Sequence, residues 1–356
     1  MDGGVKKTGV TSSEVAKRAG VSQSAVSRTF TPGASISPTM RAKVMAAARE
    51  LGYRPNALAR SLITNRSRII AVVMAYLENL FYPDVLEELG RLLVRENYRL
   101  LLFTGSLDRD SDPVFDQLMQ YRVDGIILAS TSLSSELSEE CAAAGIPVVL
   151  FNRTTERDAV SSVTAHNLEG GRLVAEFLLA GGHERFGYIS GIESSSTNRD
   201  RLAGYREALA RAGHADIVIG TGNYERAGAE AAAREILSRP DRPDALFVAN
   251  DHMAVAVMDV ARYEFGLSIP DDLSIVGYDD VGPARWSAYD ITTMSQPLER
   301  MVETTVELLM EQIASGRIVA EHRILRGELM VRSSARLPAS GIVEADGRRI
   351  YRPPQS

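Results

Sequence analysis

The spacing of apolar residues changes character near residue 69. Upstream, Val15, Ala16 and Ala19 follow one another at helical spacing behind Thr11-Ser-Ser-Glu14, a capping box in which each end satisfies an amide of the other. Gly20 ends that helix, and Ser22 caps a second one from about Gln23 to Phe30. Ser37, with Pro38 in the first helical position, opens a third that stops at Gly52. Two short helices joined at Gly20-Val21 predict a helix-turn-helix, with the second helix shaped for a DNA major groove. On that helix Val26 faces the core, while Gln23, Ser24, Ala25 and Arg28 lie on or near the exposed N-terminal face.

Downstream of Ile69, short apolar runs alternate with amphipathic helices. Ile69–Ala75, Leu100–Phe103, Gly125–Leu128 and Pro147–Phe151 read as strands, with helices at about 82–97, 112–121 and 135–144. A second series follows at Arg185–Ser190, Asp216–Ile219, Ala245–Ala249 and Ser274–Gly277. Such alternation predicts an α/β body of two doubly wound parallel sheets, with ligands at the carboxyl ends of the strands and a cleft between the lobes. The helix at about 297–315 and the strands at about 321–331 return to the two lobes. The resulting division is a head over 1–63, a linker over 64–68 and a body over 69–337. The first lobe takes 69–165 and 297–325, and the second takes 166–296 and 326–337. From Pro338 to 356 a tail rich in Gly, Pro and Arg carries no apolar heptad, which favours a dimer over a coiled-coil tetramer.

Charge sharpens this division. The net charge is −6, yet residues 1–68 hold twelve Lys or Arg against three Asp or Glu, and the remainder holds 28 against 43. A basic head on an acidic body suggests nucleic acid as the head's partner. Between them, Tyr53-Arg-Pro-Asn-Ala-Leu-Ala-Arg-Ser-Leu62 offers a helix of about seven residues capped by Asn56, too short to hold without a packing partner. The polar N-terminus, Met1 to Val10, has no apolar signal-peptide core, and no apolar run reaches membrane-spanning length, so a cytoplasmic protein is expected.

Catalytic templates are missing. No GxGxxG follows a strand, no phosphate-binding GxxxxGK or HExxH occurs, and Gly187-Tyr-Ile-Ser-Gly191 misses the GxSxG spacing. Neither the five histidines nor the single Cys141 suggests a metal site or nucleophile, so no cofactor and no enzyme are expected. Polar residues at strand ends carry more information. Asn152, Asn250-Asp251 and Asp279-Asp280 each follow an apolar run, where a cleft presents hydrogen-bonding groups to a small ligand. Asn250 and Asp279 read as ligand contacts and Asp251 as a helix cap, with Asp280 open between the two roles. Phe81 and Tyr82 either stack on a ligand or seed the core, and Trp286 either closes over a ligand or plugs the space between lobes.

The strings Glu14-Val-Ala-Lys-Arg-Ala-Gly-Val-Ser-Gln-Ser-Ala-Val-Ser-Arg28 and Gly52-Tyr-Arg-Pro-Asn-Ala-Leu-Ala-Arg-Ser-Leu62 resemble the LacI family of bacterial transcription regulators. The resemblance continues to about residue 337 through Asn198-Arg-Asp-Arg-Leu-Ala-Gly204, Ala249-Asn-Asp-His-Met-Ala254 and Val276-Gly-Tyr-Asp-Asp280. It implies a homodimeric repressor on a pseudo-palindromic operator, with a body like the type I periplasmic binding proteins. Gln23, Ser24 and Arg28 match its base-reading positions and Ser35 and Asn56 further DNA contacts, while Thr11, Ser22, Ala25, Ser27, Tyr53 and Ala59 complete the DNA-facing set. The segment 56–62 matches its hinge helix, with Leu62 as the minor-groove wedge. Arg201 aligns with its ligand-clamping arginine and Tyr224 with an aromatic platform. Asn152 sits where sugar-binding members often carry Asp, and His166-Asn167 replaces the commoner Asp-Asn; both departures suit a sugar acid better than a plain sugar. A soluble sugar-binding receptor without DNA function is the alternative reading.

Overall fold

A computed structural model describes residues 10–30, 33–54, 66–74, 77–104, 112–129, 135–155 and 160–354. Two compact units divide at Ser67 and Arg68.

The head holds α1 (Ser12–Ala19), α2 (Gln23–Thr29) and α3 (Pro38–Leu51). Thr11 closes its capping box with Glu14, Ser22 accepts from the Ala25 amide, and Ser37 accepts from the Met40 amide. Gly20 and Gly52 end α1 and α3 at φ 64° and 68°, the left-handed region that glycine enters without a Cβ clash. A small core forms around Val15, Val26, Val44, Ala47 and Ala48, with Phe30 and Tyr53 packed on its edge.

In the body, β1 (Ile69–Met74), β2 (Arg99–Thr104), β3 (Gly125–Ala129), β4 (Val148–Phe151), β5 (Ser161–Ala165) and β11 (His322–Leu325) form a six-stranded sheet in the order β11-β5-β4-β3-β1-β2. Every pair in it is parallel. The helices of this lobe are α4 (Phe81–Arg95), α5 (Asp112–Tyr121), α6 (Ser135–Ala143) and α11 (Leu298–Ser315). The second lobe has β6 (Phe186–Ser190), β7 (Ile217–Thr221), β8 (Ala245–Val248), β9 (Ser274–Asp279), β10 (Thr292–Ser295), β12 (Leu329–Met330), β13 (Ile342–Ala345) and β14 (Arg348–Tyr351), ordered β13-β14-β12-β10-β9-β8-β6-β7. Its helices include α7 (Asn167–Ala180), α8 (Ser196–Arg211), α9 (Arg226–Leu237) and α10 (Asp251–Asp259). The chain passes between the sheets after β5, after β10 and after β11.

Three features depart from the sequence reading. The segment from Pro338, expected as a tail, folds as the β13–β14 hairpin and pairs antiparallel with β12. Tyr351 is buried there against Phe177, with ring centroids 5.2 Å apart, and with its neighbour Ile350 it forms the buried end of an Arg-rich strand. Strands β5 and β10 carry Ser and Thr rather than an apolar run, and were not foreseen. Their hydroxyls are buried but bonded: Ser161 Oγ donates to Val319 O and Thr293 Oγ1 to Asp251.

Candidate DNA-reading surface and ligand cleft

On the head, Gln23, Ser24, Ser27 and Arg28 share the exposed side of α2, and Thr11, Ser22 and Ser35 are exposed near its start or beyond its end. Gln23 Nε2 donates to Ser12 Oγ at 2.9 Å and Ser24 Oγ lies 2.9 Å from Ser22 Oγ, so both side chains are held in place. Arg28 forms no ion pair among the described residues, whereas Arg18 is paired with Glu50 at 2.6 Å. Two expected contact residues sit elsewhere. Ala25 is 6 % exposed and faces the head core, because the first turn of α2 rotates it inward beside Val26. Tyr53 lays its ring against Phe30, centroids 5.7 Å apart, at the edge of that core. Asn56, Ala59 and Leu62 lie outside the described residues.

The cleft is built from the second lobe upward. Gly171 on α7 and Gly204 on α8 let two helices meet backbone to backbone: a Cβ on Gly171 would strike the Arg201 carbonyl, and one on Gly204 the Leu168 carbonyl. That approach brings Arg201 to the carboxyl ends of β8 and β9, 2 % exposed, where Nε donates to Asn167 Oδ1 (2.9 Å) and Nη1 to Ala249 O (2.6 Å). Its Nη2 lies 3.5 Å from Asp279 Oδ1, and its guanidinium carbon is 3.5 Å from the Tyr278 ring centroid. Asp279 leaves β9 at φ 111°, a strained backbone for a residue with a Cβ, and its Oδ1 also accepts from Gln296 Nε2 at 2.7 Å. Burial pushes the Asp279 carboxyl up to about 6 despite the opposing pull of Arg201.

Tyr224 stands above this floor in the left-handed region at φ 61°, its hydroxyl 3.1 Å from Thr197 Oγ1. Gly191 makes room for the ring, since a Cβ there would overlap it. Across from it, Asn152 ends β4 at φ 57°, 4 % exposed, with Oδ1 buried and lacking a hydrogen-bond partner among the described residues. Asn250 is fully buried and its Nδ2 is likewise unpartnered. A depression of about 660 Å³ opens here, lined by Glu78 and Asn79 of the first lobe and Tyr224, Glu225, Arg226, Ala227 and Glu230 of the second.

Of the expected ligand residues only Tyr224 lines this depression; Arg201 and Asp279 meet each other directly, and Asn250 caps α10 by accepting from the Met253 amide. Asp251 corrects the sequence reading. It is not the cap but the first residue of α10, fully buried, accepting from Thr293 Oγ1 and the Val281 amide, and it ties three segments together. Asp280 pairs with Arg285 and Arg332 rather than facing a ligand. Phe81 and Tyr82 are 1 % and 2 % exposed and belong to the core, Phe81 stacked on Phe151. Trp286 is 59 % exposed after the short turn Gly282–Arg285, so it plugs no gap between the lobes.

Sequence reasoning missed Arg153. One residue beyond Asn152 and 8 % exposed, it donates from Nη1 to Thr197 Oγ1 at 2.9 Å, a bond from the first lobe to the second. Thr154 adds another, its amide donating to Ser196 Oγ at 3.1 Å. Asn167 and Gln296, which position Arg201 and Asp279, were also missed; a polar residue beside a crossover carries no signal of which side it faces. Among the described residues no group of three His, Cys, Asp or Glu side chains could hold a metal ion, and no helix is long and apolar enough to cross a membrane.

Two family patterns match. "Bacterial regulatory proteins, lacI family" covers residues 11–56, and "Periplasmic binding protein-like domain" covers residues 175–335. The ribose operon repressor of Escherichia coli (strain K12) is 34 % identical over 332 residues, spanning 91 % of this chain and 99 % of its own. The transcriptional repressor PurR of Vibrio campbellii is 32 % identical over 328 residues, spanning 91 % and 98 %. A solved structure of the lac repressor dimer bound to operator and the anti-inducer ONPF superposes with a TM-score of 0.81 at 28 % identity, covering 91 % of this chain and 98 % of that one. With a helix-turn-helix head, a two-lobed body and full-length relatives that are transcriptional repressors by name, the chain belongs to the lacI family of bacterial regulatory proteins, which are DNA-binding transcription regulators.

Proposed function

We propose that the chain is a repressor whose grip on operator DNA is set by a sugar or sugar acid held in the cleft between the lobes. Gln23, Ser24, Ser27 and Arg28 read base edges, and Thr11, Ser22 and Ser35 contact phosphates or sugars from the exposed ends of the same motif. Asn56, Ala59 and Leu62 supply the hinge contacts, with Leu62 entering the minor groove. Two chains pair so that their α2 helices meet two half-sites of a pseudo-palindrome. Arg201, Asp279, Asn152, Asn250 and Tyr224 hold the effector. The protein acts in the cytoplasm, needs no cofactor and returns its effector unchanged.

The observation that carries this reading is the buried Arg201 network. A guanidinium fixed by Asn167, the Ala249 carbonyl and Asp279 at a strand edge is a polar floor already formed for a hydroxylated ligand. Ligand contacts from both lobes favour one lobe arrangement by their difference in affinity for it, and the hinge segments transmit that choice to the heads.

The test is selection of duplexes from a randomised library by the purified full-length chain, followed by titration of the enriched DNA at rising salt. An inverted repeat should emerge, with affinity falling steeply with salt as phosphate-bound counterions are released. Enrichment of no duplex, or binding indifferent to salt, would refute the DNA half of the proposal.

A further inference from the structure

The first two side chains of α2 are tied to neighbours within the head. Gln23 Nε2 donates to Ser12 Oγ at 2.9 Å, a bond that joins the first residue of α2 to the first residue of α1. Ser24 Oγ lies 2.9 Å from Ser22 Oγ, which also accepts from the Ala25 amide at 3.3 Å. The Gln23 tie is the more telling of the two, because it reaches outside the recognition helix and its own cap.

Ser12 is free to make it. The cap of α1 is Thr11, whose Oγ1 donates to Glu14 Oε2 at 2.9 Å and accepts from the Glu14 amide at 3.4 Å. Ser12 stands one position inside that cap, where a hydroxyl does nothing for the helix that a methyl group would not. Its side chain forms no hydrogen bond among the described residues except the one to Gln23.

The tie bears on base reading. With Nε2 turned back to Ser12, the amide keeps Oε1 and its second N–H for the groove, one acceptor beside one donor. Adenine offers the complement of that pair in the major groove, a donor at N6 beside an acceptor at N7. Guanine sets two acceptors there and would leave Oε1 facing one of them, while cytosine offers a donor without the acceptor and thymine an acceptor without the donor. An exposed glutamine otherwise samples many rotamers, and ordering it on DNA weakens binding to the right base. The bond to Ser12 removes part of that cost in advance, and it strengthens as docking drives water from the interface.

We infer that Ser12 is a positioning residue that holds the Gln23 amide for an adenine in each operator half-site. This rests on α2 being the base-reading helix. It goes further in naming the base and in assigning its selection partly to α1.

The test is fluorescence anisotropy of the full-length protein on the duplex it selects, with every half-site position replaced in turn by the other base pairs. Wild type, Ser12→Ala, Ser12→Thr, Gln23→Ala and the double variant Ser12→Ala/Gln23→Ala are compared. The position read by Gln23 is the one whose preference disappears in Gln23→Ala, and wild type should favour adenine there by roughly 5- to 150-fold. Ser12→Ala should reduce that preference by roughly threefold to tenfold, as expected when one long side chain must be immobilised on binding. Preferences at the other positions and the salt dependence should stay as in wild type. Ser12→Thr keeps the hydroxyl and should restore the preference, and Ser12→Ala should change nothing further in the Gln23→Ala background. Preference for another base at that position, full discrimination by Ser12→Ala, or an equal loss on every duplex would overturn the inference while leaving α2 as the reading helix. If Gln23→Ala alters no position, the base-reading role of Gln23 itself fails.

Discussion

The two walls of the cleft are built on different terms. On the second lobe, Arg201 is buried within a complete set of partners: Asn167, the Ala249 carbonyl, Asp279 and the Tyr278 ring. Asn198, three residues before Arg201, is anchored in turn, accepting from Tyr188 Oη and the Gly191 amide at 2.9 and 2.8 Å. On the first lobe, Asn152 keeps its side-chain Oδ1 without a partner and Arg153 has only neutral partners among the described residues. The arginine of one wall is fully partnered and that of the other is not, although the second lobe also keeps Asn250 Nδ2 and Gln296 Oε1 without partners among the described residues. A ligand that satisfies open groups of both lobes favours the arrangement in which it reaches them together, and such differential contacts are what shift a conformational equilibrium.

Removing the fully partnered cation should cost the most. Arg201→Met leaves Asp279 buried without its cation, and denaturant unfolding should show a loss of about 3–5 kcal/mol. Arg153→Met should show almost none, and equal losses in the two variants would erase the contrast. Next in size come the glycines. Gly204→Ala places a methyl group against the Leu168 carbonyl, forcing α7 and α8 apart, and should destabilise the chain by about 1–3 kcal/mol while weakening effector binding through a displaced Arg201. Gly90, with nothing within 4 Å of an added Cβ, should tolerate alanine without loss.

A smaller effect appears with pH. The Asp279 carboxyl is held above its ordinary value by burial, at about 6, so the folded chain binds a proton there that the unfolded chain has already released. Its contribution is fully present below the unfolded value near 3.8 and is lost as pH rises through about 6. Asp251, raised by burial and by the neighbouring Asp279 and Asp280, adds to the same trend. Wild type should lose stability relative to Asp279→Asn as pH rises from 4 to above 6, as followed by melting temperature; parallel profiles would place the titration elsewhere.

The head was largely legible in the sequence because its signals are local. Thr11, Ser22 and Ser37 cap, Gly20 and Gly52 terminate, and each does so within four residues of its partner. Ala25 was misread because in a seven-residue helix the inward face is set by what packs against it, not by periodicity. In the body, strand-end position singled out Asp279 and the family resemblance singled out Arg201, and the structure brings the two together. Arg153 was not, since an arginine after a strand looks the same in sequence whether it faces solvent or a second lobe. Asp251 was hidden for a related reason: its residue type suits a cap, and only the approach of Thr293 and Val281 makes it an internal tie. The C-terminal hairpin was hidden by composition, because Gly, Pro and Arg outnumber Ile350 and Tyr351, the two residues that bury it.

The account stands most directly on the coupling between cleft and DNA. The measurement is fluorescence anisotropy of the duplex selected by the protein, titrated with and without the effector identified by calorimetry. Wild-type affinity should change by roughly 5- to 150-fold at saturating effector, the range of ordinary allosteric coupling, and Arg201→Ala and Asp279→Ala should bind the duplex but show no such change. An unchanged wild-type affinity at saturating effector, or a full response in both variants, would contradict it.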